Sequence, residues 1–169
     1  MGLSRVALTL MLTLASWSAV AQSSVPDHRI TPGAINPDVT QDTIQSTICV
    51  RGWTRTVRPE WQYTNTLKRR QMAVSGLRLS MRDVEEDHLI PLSLGGAPRD
   101  PRNLWAEPRY PPDGWTADMK DDLEAVLPRL VCMGRVSLAE ARRVFATDWR
   151  EGYQHYIVES ETSPETAGE

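Results

Sequence analysis

One phenylalanine, two cysteines and little net charge mark this chain of 169 residues. Two cysteines are too few for a disulfide-dense miniature fold or a four-thiolate zinc site, and enough for a single bridge. Nineteen Lys and Arg against 22 Asp and Glu give a formal charge of −3, which argues against a polycation that grips nucleic acid through its global field. Past the first 21 residues, no apolar run approaches the roughly 20 residues that a membrane-spanning helix requires. The remaining composition, 40% hydrophobic and 24% charged, suits one ordinary globular domain.

The first residues read as a signal peptide. Arg5 precedes an apolar core from Val6 through Ala15, and Ala19-Val20-Ala21 supplies a small-x-small cleavage site before Gln22. The expected mature protein is therefore exported, periplasmic or secreted, with no membrane attachment after cleavage. In an oxidising compartment a lone pair of cysteines forms a disulfide, so Cys49 and Cys132 are expected to be bridged.

Removing Arg5 with the leader, and the four Glu of residues 159–169, leaves 18 bases and 18 acids in residues 22–158. The neutral total hides two opposed stretches. Residues 51–82 carry Arg51, Arg55, Arg58, Lys68, Arg69, Arg70, Arg78 and Arg82 against Glu60 alone, while residues 83–122 hold ten acids against four bases. Trp53, Trp61 and Tyr63 lie within the basic stretch. Cationic side chains hold phosphates, aromatic rings stack on bases and carboxylates bind cations, so a metal-dependent nuclease could use this layout. A solvated helix face beside an oppositely charged one has the same pattern.

Residues 22–48, rich in Pro, Ser, Thr and Asp, read as an extended or turn-rich arm. Asn65 is expected to cap a helix over 66–75 that ends at Gly76, with Lys68-Arg69-Arg70 largely on its outer face. Strands are expected at Asp87–Leu92 and Asn103–Ala106, separated by Gly95-Gly96 and a loop containing Pro98 and Pro101. A helix from Thr116 to Gly134, kinked at Pro128, turns Met119, Leu123, Leu127, Leu130 and Val131 to one face. A second helix opens on the capping box Ser137-Leu138-Ala139-Glu140 and buries Leu138, Ala141, Phe145 and Trp149. Residues 159–169 read as a disordered acidic tail.

The run Glu86-Asp87-His88-Leu89-Ile90-Pro91-Leu92-Ser93-Leu94-Gly95-Gly96, followed by Asn103-Leu104-Trp105, resembles the HNH endonucleases. The stretch Thr47 to Trp149 is similar to small exported bacterial HNH-type proteins. Thr47-Ile48-Cys49, Gly52-Trp53-Thr54, Val57-Arg58-Pro59, Leu67-Lys68, Glu107-Pro108, Lys120-Asp121, Leu123-Glu124, Val131-Cys132 and Asp148-Trp149 also carry that likeness. The resemblance implies an α+β domain, residues 49–158, built on a small ββα-metal hairpin core with flanking helices and one disulfide. It implies phosphodiester hydrolysis in nucleic acid, DNA ahead of RNA.

By that resemblance His88 is the general base, a role suited to an imidazole that accepts a proton near neutral pH. Asn103 holds the His-bearing loop, and Asp87 binds a divalent cation, Mg²⁺ or Mn²⁺. The family usually places a second ligand, His or Asn, three or four residues before a helical Lys. Counting back from Lys120 lands on Ala117 or Thr116, so Thr116 or Asp118 would have to serve, with Glu86 a spare carboxylate. Arg51, Arg55, Arg58, Lys68, Arg69 and Arg70 are the expected phosphate-holding bases. The gap at Ala117 leaves a second expectation standing, an HNH-fold binding or structural protein without catalysis. Asp27-His28 repeats the dipeptide without the following context and is expected to have no role, and His155 is expected to be structural.

Overall fold

A computed structural model describes residues 22–162. The expected signal peptide, residues 1–21, lies outside the described residues, as do residues 163–169 of the expected tail. The helices are α1 (Trp53–Val57), α2 (Trp61–Ser75), α3 (Ala117–Cys132) and α4 (Leu138–Tyr153), followed by a π-helical segment Gln154–Val158 and a last short helix, α5 (Glu159–Thr162). Strands β1 (Val84–His88) and β2 (Leu104–Pro108) lie between α2 and α3. They form one antiparallel pair, with Asp87 opposite Trp105 and His88 opposite Leu104. Cys49 and Cys132 are disulfide-bonded. The fold is thus α+β with one bridge.

The strands sit upstream and downstream of their expected positions. β1 stops at His88: the Leu89 N–H still donates to the Asn103 carbonyl, but the Ile90 N–H goes to the Asn103 side chain and Pro91 has no N–H to carry a ladder on. Its start extends back to Val84, through acids whose backbone pairs although their side chains break the usual apolar alternation. α2 begins at Trp61, not at residue 66, because Pro59 and an extended Glu60 set the chain up for an earlier first turn. Asn65 therefore lies inside the helix, while Gly76, left-handed at φ 70°, ends it as expected.

α3 runs without a break through Pro128, and the Thr116 hydroxyl accepts from the Met119 N–H to cap it. Half of the expected capping box forms: the Ser137 hydroxyl accepts from the Glu140 N–H, whereas the Glu140 carboxylate pairs with Arg143. α4 is interrupted at Asp148, which is extended (φ −155°, ψ 102°) and accepts from the Arg150 N–H, restarting the helix. Residues 159–162, expected in a disordered tail, are helical; the preceding Tyr156 and Ile157 rest on the core and carry the helix forward.

The core lies between α3, α4 and the connection between the strands. Leu123, Leu127 and Val131 of α3 meet Leu138, Ala141, Val144, Phe145 and Trp149 of α4, with Ile90 and Leu94 from the connection. The arm is part of this core through Val39 and Ile44. It is further fixed where Ala97 donates to Ala34 and Asn36 donates to Gly95, an edge contact that satisfies loop backbone. The Trp149 indole N–H donates to the Ser24 carbonyl at 2.8 Å. No helix among the described residues is long and apolar enough to cross a membrane.

Candidate functional site

Alternation along β1 turns Glu86 and His88 to one face and Glu85 and Asp87 to the other. His88 is 6% exposed, and its Nε2 lies 3.0 Å from the Pro98 carbonyl. A carbonyl only accepts, so Nε2 carries the proton and Nδ1 is the basic nitrogen of the neutral ring. Burial pushes the imidazole pKa below its ordinary value; the Pro98 bond opposes that, and nearby Arg58 adds to it. The ring is therefore neutral, with a fixed tautomer.

Asn103 positions the carbonyl that orients His88. Its buried side chain accepts from the Ile90 N–H at 2.9 Å and donates to Ile90 O at 3.0 Å and Ala97 O at 3.3 Å. One amide thus closes both ends of the connection, next to Pro98. Gly96 allows this closure: a Cβ there would stand 1.8 Å from Ile90 O and 2.6 Å from Asn103 Nδ2.

The opposite face is organised by Lys120, which is 1% exposed. Its ammonium donates to Asp87 Oδ2 and Glu124 Oε1, reaches His88 O at 3.2 Å, and stands 4.0 Å from Glu107 Oε2. Burial would lower the Lys120 pKa, but Asp87, Glu124 and Glu107 hold it well above the ordinary lysine value. The Asp87 carboxyl, which burial would raise, is held below its usual range chiefly by that ammonium. Glu107 moves the other way. Burial, incompletely offset by Lys120, holds it well above the carboxylate range, with neighbouring Asp87 adding to the rise. Burial likewise pushes Glu124 up to about 8.

The residues expected to hold Mg²⁺ or Mn²⁺ do not fit that role. Asp87 is occupied by an internal ammonium, the Thr116 hydroxyl caps α3, and Asp118 is exposed on the first turn of that helix. Among the described residues no three His, Cys, Asp or Glu side chains are grouped so as to hold a metal ion. A hard dication would have to compete with a charge already in place.

Of the expected phosphate-holding bases, Arg58 is exposed and close enough to His88 to lower its proton affinity. Lys68, expected on the outer face, is half-buried and donates to Met81 O and Val84 O, both at 2.8 Å. Its charge favours ionisation of Glu86 without bonding to it. Arg51, Arg55, Arg69 and Arg70 are exposed, Arg55 covering Gly52 and Arg70 lining an apolar groove with Ile30, Val74 and Trp105. Arg99 stacks over Tyr63, 4.4 Å from the ring centre, beside the His88 anchor. His28 is exposed, and exposed His155 pairs with Glu159.

Sequence reasoning missed the joint role of Lys120, Glu107 and Glu124, and also that of Arg142, which donates to Leu94 O and Val39 O. One signal was present: position 120 lies on the same helical stripe as Leu123, Leu127 and Val131, where a lysine is out of place unless paired. No family model, curated protein or solved structure matches the chain.

Proposed function

We propose that this protein is an exported HNH-type endonuclease that hydrolyses phosphodiester bonds in nucleic acid, with His88 as general base. The observation that carries this reading is the neutral His88 ring, its Nε2 proton fixed on Pro98 O and Nδ1 left basic. Nδ1 takes a proton from water as the water oxygen bonds to phosphorus and the ester oxygen leaves. Arg58 is exposed near His88 and suits a polyanionic strand, and the exposed Trp61 ring suits base stacking, while Arg99 is paired with Glu60. The Asn103 clamp supports the reading independently, because it fixes the loop that orients the base.

A second reading has its own observation. The ammonium seated on Asp87 suits an HNH-type fold that binds nucleic acid without cutting it. Purified protein incubated with supercoiled plasmid or single-stranded RNA, with Mg²⁺, with Mn²⁺ and with EDTA, separates the two. Nicking abolished by His88→Ala is expected. Cleavage that survives His88→Ala overturns the assignment of the base, and salt-sensitive binding without cleavage in any cation selects the second reading.

A further inference from the structure

Trp61 opens α2 and is 70% exposed, whereas Trp53, Trp105, Trp115 and Trp149 are buried or half-buried. An indole carries more apolar area than any other side chain and is ordinarily covered over most of it. The position of this one is fixed from both sides. Glu60, just before it, pairs with the Arg99 guanidinium, and the Tyr63 hydroxyl, just after it, donates to Arg99 O at 2.6 Å. Arg99 in turn follows Pro98, whose carbonyl anchors His88. The first turn of α2 is thus clamped one residue from the group that orients the imidazole, with its tryptophan turned to solvent.

Two further observations bear on what fits there. The His88 ring is only 6% exposed, so a phosphate must enter a recess to meet it. A duplex is stiff, with a persistence length of about 50 nm, and keeps its base faces stacked inside; an unpaired strand bends into a recess and offers the face of every base. Positive charge is also sparse. Arg51, Arg55 and Arg58 are exposed, but Arg99 is paired with Glu60, and residues 22–158 balance 18 bases against 18 acids. Duplex binding draws mainly on phosphate neutralisation, whereas stacking on an aromatic ring does not require it. We propose that the Trp61 indole is a stacking platform that selects single-stranded nucleic acid for the His88 site, one unpaired base lying on the ring while Arg58 holds a phosphate of the same strand. DNA and RNA share this chemistry. The inference rests on the reading of His88 as the site of phosphodiester cleavage for its placement, and its readout is binding, which needs no cleavage.

The test is fluorescence anisotropy of labelled probes of about 20 nucleotides, longer than a typical single-strand site, in EDTA so that nothing is cut. The probes are oligo(dT), oligo(U), an abasic strand and a DNA duplex of equal length. At least one of the two base-bearing single strands is expected to bind tenfold or more tighter than the abasic strand and the duplex, and comparison of the two distinguishes DNA from RNA. Trp61→Ala is expected to weaken single-strand binding about five- to 150-fold, the loss of one stacked base, and to erase the preference over the abasic strand. Trp61→Phe, which keeps a ring, is expected to retain part of that preference. A duplex bound as tightly as the single strands would overturn the proposal, and so would a folded Trp61→Ala protein that keeps the preference, or a wild type that binds no strand. Cutting is read separately in Mg²⁺ and Mn²⁺. A Trp61-dependent preference for single strands without cutting upholds this inference and removes the endonuclease reading, whereas cutting without that preference does the reverse.

Discussion

Neither oxygen of the Glu86 carboxyl reaches solvent or has a hydrogen-bond partner among the described residues. Burial, with a smaller contribution from neighbouring Asp87 and against the pull of Lys68, pushes its pKa from 4.5 up to about 8. The folded protein holds Glu86 protonated at neutral pH, while the unfolded chain ionises it near 4.5. Its contribution to stability is therefore complete below pH 4.5 and is lost as pH rises through 8. Glu86→Gln is expected to unfold like the wild type at pH 4–5 and to be more stable at pH 9, by up to about 5 kcal/mol. Glu107 and Glu124 contribute the same trend to both proteins and cancel in the difference. Denaturant melts at several pH values measure it, and a stability difference that stays flat from pH 5 to 9 would reject the account. The burial of Glu86 was not legible in the sequence, where it was one more acid in an acidic stretch; its surroundings are set by the packing of α2 on β1.

Between β1 and β2 the connection is closed by hydrogen bonds of the Asn103 side-chain amide, with short-range backbone bonds to Pro91 and Leu92, in place of a regular hairpin ladder. Asn103→Ala would leave the Ile90 N–H and the Ile90 and Ala97 carbonyls without their buried partner, a loss of about 3 kcal/mol. Faster hydrogen exchange at the Ile90 amide is the local signature expected with it. A variant within about 1 kcal/mol of the wild type would show that the connection is held by its apolar contacts alone. Asn103 was legible through the Gly95-Gly96 and Asn-Leu context, and α3 and the start of α4 through their caps and apolar stripes. The limits of β1 were not, because Glu85, Glu86 and Asp87 give it no apolar alternation. The Asp148 break was also hidden: Phe145 and Trp149 keep helical spacing across it, and the Asp148 to Arg150 link that restarts the helix is local side-chain chemistry.

Across the whole molecule, the Cys49–Cys132 bridge spans 83 residues and ties the chain ahead of α1 to the end of α3, enclosing both strands and the Lys120 nest. The pairing was legible because the leader-like segment and the lone cysteine pair agree, whereas the anchoring of the arm on Gly95, Ala97 and Trp149 required the fold. A cross-link of this span removes freedom chiefly from the unfolded chain, which the chain-entropy relation puts at about 4 kcal/mol. That is a large share of the roughly 5–15 kcal/mol that holds a domain together. The Cys49→Ala, Cys132→Ala double variant is therefore expected to lose about 4 kcal/mol. It should also show a steeper denaturant dependence than the oxidised protein, because its unfolded chain exposes more surface. Urea melts of the oxidised, reduced and double-variant proteins supply both quantities. An equal loss with unchanged slope and faster unfolding would place the effect in the native state, where Ile48 and Cys49 rest on the core. A loss below about 1 kcal/mol would mean that the arm and helix contacts already confine the chain as tightly as the bridge does.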